Sequence, residues 1–174
     1  MAKICKIYHG TNDFYDTSLA LYYLYKGSEA IQKHPVAQDA RSFGNIGYAK
    51  EFATVKMFAS RRVGNTQAIV ELCNHLEEHW LILDRDLACA KRIKIRCQNF
   101  HKHKILQSRE LELISTNVKL TFGSINSIDR YRGFKLRGII VDSASTIKEE
   151  YLNRVYELQP AMQDYPTEHF LFVS

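Results

Sequence analysis

The chain is poor in the residues that mark unusual folds. Proline occurs three times and glycine eight times in 174 residues, which excludes collagen-like or low-complexity character. The four cysteines (Cys5, Cys73, Cys89, Cys97) are far apart, with no Cys-x-x-Cys pair and no zinc-knuckle histidines. Reduced structural thiols and no metal are therefore expected. There is no apolar run of about 18 residues, and the opening Met1-Ala-Lys-Ile-Cys-Lys lacks the apolar stretch of a signal peptide. A soluble, cytoplasmic protein without a membrane partner is expected.

What the chain does contain fits a globular protein. Hydrophobic residues make up 45% and charged residues 25%, which excludes a disordered chain. A chain of this length buries roughly two-thirds of its unfolded surface, so one domain over residues 1–174 is expected, with no need of a staple. The 24 Lys and Arg exceed the 19 Asp and Glu, leaving a formal charge of +5.

Periodicity sets out the elements. Lys3 to Tyr8 reads as a first strand that ends at His9-Gly10-Thr11. A helix is predicted from about Leu19 to Gly27, and a shorter one over Ser28–Lys33 before Pro35. Gln38 to Phe43 reads as loop. Phe52, Val55, Phe58 and Ala59 share one helical face, which predicts a helix from Glu51 to about Arg62. Period-two or short apolar runs follow at Gln67–Cys73, Trp80–Leu83, Ile105–Ile114, Val118–Phe122, Gly138–Val141 and His169–Val173, with a helix expected over Thr146–Leu158. Early helices followed mainly by strands predict an α+β fold with a split or mixed sheet.

Three segments carry candidate chemistry. Tyr8-His9-Gly10-Thr11 ends a predicted strand; Phe43-Gly44-Asn45-Ile46-Gly47-Tyr48 precedes a predicted helix; Arg109-Glu110-Leu111-Glu112 lies in a predicted strand, where residues two apart share a face. Each has an ordinary structural reading: a turn histidine, a core tyrosine, an exposed acidic strand face. Neither Gly-x-Gly-x-x-Gly nor Gly-x-x-x-x-Gly-Lys-[Ser/Thr] occurs.

In that order the three segments resemble the ADP-ribosyltransferase superfamily, in particular its His-Tyr-Glu branch, over about residues 4 to 122. The resemblance implies that fold, a split mixed or antiparallel sheet with flanking helices, and NAD as co-substrate. It implies NAD contacts from His9, Gly10 and Thr11, stacking of Tyr48 on the nicotinamide, and Glu110 or Glu112 as the catalytic carboxylate stabilising an oxocarbenium-like sugar. Arg61, beside Arg62, is a candidate for the pyrophosphate, since arginine forks onto phosphate oxygens; both also read as solvated charges.

Two basic stretches interleaved with aromatics bear on the acceptor. Lys91 to Lys104 contains Lys102 and Lys104, and Arg130 to Arg137 contains Arg132, around Phe100, Tyr131 and Phe134. Such stretches suit single-stranded nucleic acid. The implied activity is a bacterial or phage toxin that transfers ADP-ribose to RNA, or else to protein or DNA, restrained by an antitoxin. A non-catalytic nucleic-acid-binding or inhibitor protein is the alternative from a different class.

Overall fold

A computed structural model of the chain describes residues 13–41, 44–58, 64–158 and 167–174. Its helices are α1 (Asp13–Gln32), α2 (Pro35–Ala40), α3 (Asn45–Phe52), α4 (Asn65–Leu72), α5 (Leu87–Phe100) and α6 (Glu149–Val155). Its strands are β1 (Thr54–Met57), β2 (Glu78–Asp84), β3 (Ile105–Arg109), β4 (Glu112–Ser115), β5 (Val118–Ser124), β6 (Gly138–Val141) and β7 (His169–Val173).

The strands form one seven-stranded sheet in the order β1-β7-β6-β2-β5-β4-β3. The first five in that order are mutually parallel, and β4 and β3 add an antiparallel hairpin at one edge. The mixture of helices and strands and the mixed sheet with flanking helices agree with the α+β expectation at that coarse level. Among the described residues the sheet is not split, because the parallel strands are hydrogen-bonded without interruption from β1 to β5 in the sheet order.

Composition explains which strands lie inside. Parallel strands covered on both faces read as continuous apolar runs. Trp80 to Leu83, Gly138 to Val141 and Phe170 to Val173 are all buried. Period-two alternation divides their side chains between two cores. Trp80, Ile82, Ile140 and Leu171 join Leu21 of α1, Ile69 of α4 and Ile93 of α5 on one face. Leu81, Leu83, Val141 and Phe172 join Tyr48 of α3 and Val155 of α6 on the other. The sheet is thus sandwiched between helical layers. Gly138 lets β6 pass Trp80, since a Cβ there would lie 2.2 Å from the indole ring.

Several expectations are corrected. Thr54–Met57, predicted as helix, is strand β1: its apolar residues fit a helical face, but the segment pairs with β7 in parallel register from Thr54↔Phe170 to Met57↔Val173. Gln67–Cys73, predicted as strand, lies in α4 and the 3-10 turn after it. A short run such as Ala68-Ile69-Val70 does not distinguish a buried strand from a buried helix. Gln38 lies in α2 rather than a loop, and the two early helices are one continuous α1. Ile105–Ile114 is two strands turned at Glu110-Leu111. The basic stretch from Lys91 begins inside α5, whose N-cap Asp86 accepts the Cys89 N–H at 2.8 Å through its side chain. The predicted strand over residues 3–8 lies outside the described residues.

Among the described residues, no helix is long and apolar enough to cross a membrane.

Candidate functional site

Parallel strands deliver their carboxyl ends to one edge of the sheet, and in open α/β sheets ligands bind in the crevice outside that edge. Here the edge carries the ends of β1, β7, β6 and β2. After β1 the chain passes through residues 58–64 into α4. Gly64 caps that helix in the left-handed region at φ +87°, and its carbonyl accepts the Ala68 N–H at 2.8 Å. The left-handed turn suits glycine, and the free N–H groups of a helix start favour an anion.

One hydrogen bond ties this helix start to the sheet. Thr66 Oγ1 donates to Asp142 Oδ2 at 2.7 Å. Asp142 follows Val141 at the end of β6, two strands from β1 in the sheet. Its other oxygen, Oδ1, accepts the Ser143 N–H at 2.7 Å, and its own N–H donates to the Leu83 carbonyl at 2.9 Å. Asp142 is only 3% exposed, and burial raises its carboxyl above the usual range.

On the neighbouring strand Asp84 ends β2, one residue beyond the Leu83↔Val141 pair. It is 4% exposed, and its Oδ1 accepts the Arg85 N–H at 2.6 Å. Burial, with the charge of Asp142 adding to it, pushes its carboxyl up to about 6. Two acids without an ion-pair partner among the described residues thus end adjacent strands beside a helix start. Shifts of this kind concentrate at functional sites. Asn65, the first residue of α4, adds a buried amide Oδ1 with no hydrogen-bond partner among the described residues.

The pattern Ala59-x-x-x-x-Gly64-Asn65-Thr66 has the spacing of Gly-x-x-x-x-Gly-Lys-[Ser/Thr], with alanine for the first glycine and asparagine for the lysine. Those two departures hid it from a search for the motif. A looser search for Gly-x-Thr after a strand, joined to a later apolar strand ending in aspartate, would have found Thr66 and Asp142. Thr66 and Asp142 are oxygen donors of the kind that hold Mg²⁺, which takes one or two carboxylates and completes its shell with water and substrate phosphates.

The residues nominated from sequence do not assemble. Glu110 sits in the β3–β4 turn, exposed and paired with Lys91 at 2.7 Å. Glu112 pairs with Lys119 at 2.7 Å and Arg109 at 3.5 Å. The two do not share a strand, since β4 begins only at Glu112. Tyr48 lies inside α3, 4% exposed, stacked on Phe52 and beneath Arg41, at the β1 side of the sheet. The glutamates occupy the opposite edge, so the three do not converge on a dinucleotide. His9, Gly10, Thr11 and Arg61 lie outside the described residues.

The nominated acceptor-binding residues are also dispersed. Arg132 is engaged by Asp129 and Glu157. Lys104 bonds to Asn74 and lines a cavity of about 610 Å³ with Cys73, His75, Cys97 and His101, near the amino ends of β2 and β5. Lys102 is exposed beside it. This cavity is remote from the Thr66–Asp142 edge, because α4 separates Thr66 in its first turn from Cys73, which follows its last residue.

No family model and no curated protein sequence matches the chain. Solved structures do. The large terminase of a thermophilic bacteriophage superposes with a TM-score of 0.56 at 10% identity, over 90% of this chain and 37% of the terminase. The same terminase in complex with ADP gives a TM-score of 0.51 at 13% identity, with the same coverage of both chains. The chain therefore spans little more than a third of the proteins it resembles. At these identities the likeness is one of fold. It overturns the ADP-ribosyltransferase resemblance and, with it, the NAD-dependent transferase activity and NAD as co-substrate.

Proposed function

We propose that the chain is a nucleotide-binding domain of the type found in phage DNA-packaging ATPases, taking ATP or ADP with a divalent cation at the carboxyl edge of its sheet. The observation that carries this reading is the Thr66–Asp142 hydrogen bond. It joins the residue in the hydroxyl position of a phosphate-binding loop to an aspartate ending a parallel strand. In phosphate-loop enzymes these two side chains hold Mg²⁺ between the β- and γ-phosphates. The hydroxyl and the carboxylate are already aligned, so a cation entering between them needs little rearrangement. The ADP bound to the similar terminase supports the class of ligand.

The chain's own residues divide the work as follows. Gly64 frees the turn, the start of α4 faces the phosphates, and Thr66 with Asp142 would hold the cation. From its place in the sequence between β1 and Gly64, Arg61 remains a candidate for a phosphate contact.

The test is titration with fluorescent ADP in the presence of Mg²⁺. Wild type is expected to bind, and Thr66→Ala to bind about 10- to 100-fold more weakly, as expected for loss of a bond to a charged group. Absence of binding by wild type, or equal binding by a folded Thr66→Ala protein, rejects the reading.

A further inference from the structure

Two buried acids end strands at this edge, and the nucleotide-binding reading uses only Asp142. Side chains two apart on a strand share a face, so Asp84 lies on the face of the sheet that carries Trp80 and Ile82. Asp142 lies on the face that carries Ile140, because the ladder continues through its N–H to the Leu83 carbonyl at 2.9 Å. Trp80, Ile82 and Ile140 pack with Ile69 of α4 and Ile93 of α5. Both carboxyl groups therefore stand on the face that α4 covers, at the end where that helix begins.

The two acids are occupied differently. Asp142 has both oxygens engaged, Oδ2 by the Thr66 hydroxyl and Oδ1 by the Ser143 N–H. Asp84 has Oδ1 engaged by the Arg85 N–H, and its Oδ2 takes no hydrogen bond from a described residue. The Arg85 guanidinium pairs with Asp86 instead. Ser124, in register with Asp84 on β5, turns its hydroxyl to the Arg85 carbonyl. A carboxylate oxygen held away from bulk water is costly unless a donor arrives. The strand spacing of about 4.8 Å sets Asp84 beside the Thr66–Asp142 pair rather than within it. A water lying against a phosphate is a donor suited to that position.

Resting on the nucleotide-binding reading above, we propose that the domain hydrolyses ATP at this edge and that Asp84 is its catalytic base, holding the attacking water through Oδ2 and taking its proton. The water oxygen forms a bond to the γ-phosphorus as the bond from that phosphorus to the β,γ-bridging oxygen breaks, and the electron pair of the broken bond leaves with ADP. The proton passes from the water to Asp84 Oδ2 and then to solvent, leaving hydrogen phosphate. Thr66 and Asp142 hold the nucleotide and its cation, while Asp84 acts only on the water.

The experiment compares wild type with Asp84→Asn, each shown to be folded by circular dichroism. Asparagine keeps the size of the side chain and an oxygen that accepts the Arg85 N–H, but it takes no proton. Fluorescent ADP is titrated in the presence of Mg²⁺, and phosphate release from saturating ATP is measured in parallel. Wild type is expected to bind ADP and to release phosphate. Asp84→Asn is expected to bind ADP at least as tightly and to release phosphate about 100- to 10,000-fold more slowly, the worth of a positioned base. Wild type that binds ADP without releasing phosphate, Asp84→Asn that releases phosphate as fast as wild type, or Asp84→Asn that loses ADP binding in step with release overturns the inference while leaving the nucleotide-binding reading intact. Absence of ADP binding by wild type overturns that reading and the inference with it.

Discussion

The two edges of the sheet treat their acidic residues in opposite ways. At the carboxyl edge of the parallel strands, Asp84 and Asp142 are buried, bonded to neutral N–H and O–H donors, and raised in pKa. On the β3–β4 hairpin, Glu110 and Glu112 are paired with Lys91, Lys119 and Arg109, and the exposed Glu110 is lowered in pKa by Lys91. An acid satisfied by a lysine in water is ordinary surface chemistry. An acid kept from water without a counter-ion is costly, and it makes sense where a cation or ligand arrives later.

The largest expected effect lies in the parallel region. Gly138→Ala would drive a Cβ into the Trp80 ring, between β6 and the buried β2, with no room for either strand to shift. A loss of about 3 kcal/mol or more in urea unfolding is expected. A loss below about 1 kcal/mol would show that this half of the sheet is loosely packed around Trp80.

A smaller effect of opposite sign separates the two kinds of acid. Because the folded-state pKa of Asp84 is raised to about 6, the native protein binds a proton that the unfolded chain releases at lower pH. Its contribution to stability is therefore present at low pH and is lost as pH rises toward and through 6. Asp84→Asn is expected to stabilise the protein by about 1–3 kcal/mol above pH 7, with the gain disappearing near pH 4. Thermal melts across that range decide the matter, and destabilisation at neutral pH would contradict it.

The background to that measurement is His169. Burial, with Arg137 adding to it, lowers its pKa to about 4. The unfolded chain then takes up a proton first, so stability falls as pH drops from about 6.5 to 4. This opposes the trend from Asp84, and Asp84→Asn should expose it as a steeper acid limb.

The smallest effect belongs to the hairpin. Glu110→Gln removes one exposed, solvent-screened ion pair and is expected to leave the urea unfolding midpoint unchanged, with fluorescent ADP binding unchanged. A marked loss of binding would undo the contrast between the two edges.

Legibility in the sequence followed the same division. The buried strands were readable: Gly138–Val141 and His169–Val173 were predicted with the boundaries observed, and Trp80–Leu83 falls within β2, because continuous apolar runs have few alternatives. The half-buried edge strand β1 and the short α4 were exchanged in type, since Phe52 and Val55 satisfy a helical spacing while Ala68-Ile69-Val70 satisfies either. The site was missed for a chemical reason. Asn65 occupies the position at which a lysine identifies a phosphate loop, whereas Glu110-Leu111-Glu112 looked like a functional pair because its acids are close in sequence.

By itself the sequence determined that this protein has a substantial buried sheet, which segments lie at its centre, and that it carries a modest excess of basic charge, because burial is written into runs of apolar residues. Tertiary structure alone decided which polar residues meet. Thr66 and Asp142 are 76 positions apart, and they touch because β7 and β6 line up beside β1 in parallel, bringing all their carboxyl ends to one edge. Strand order depends on how crossovers pack against the sheet, a long-range property that local periodicity does not encode. For the same reason a turn at Glu110-Leu111, invisible in the alternation of acids and leucines, separated two glutamates that the sequence had placed side by side.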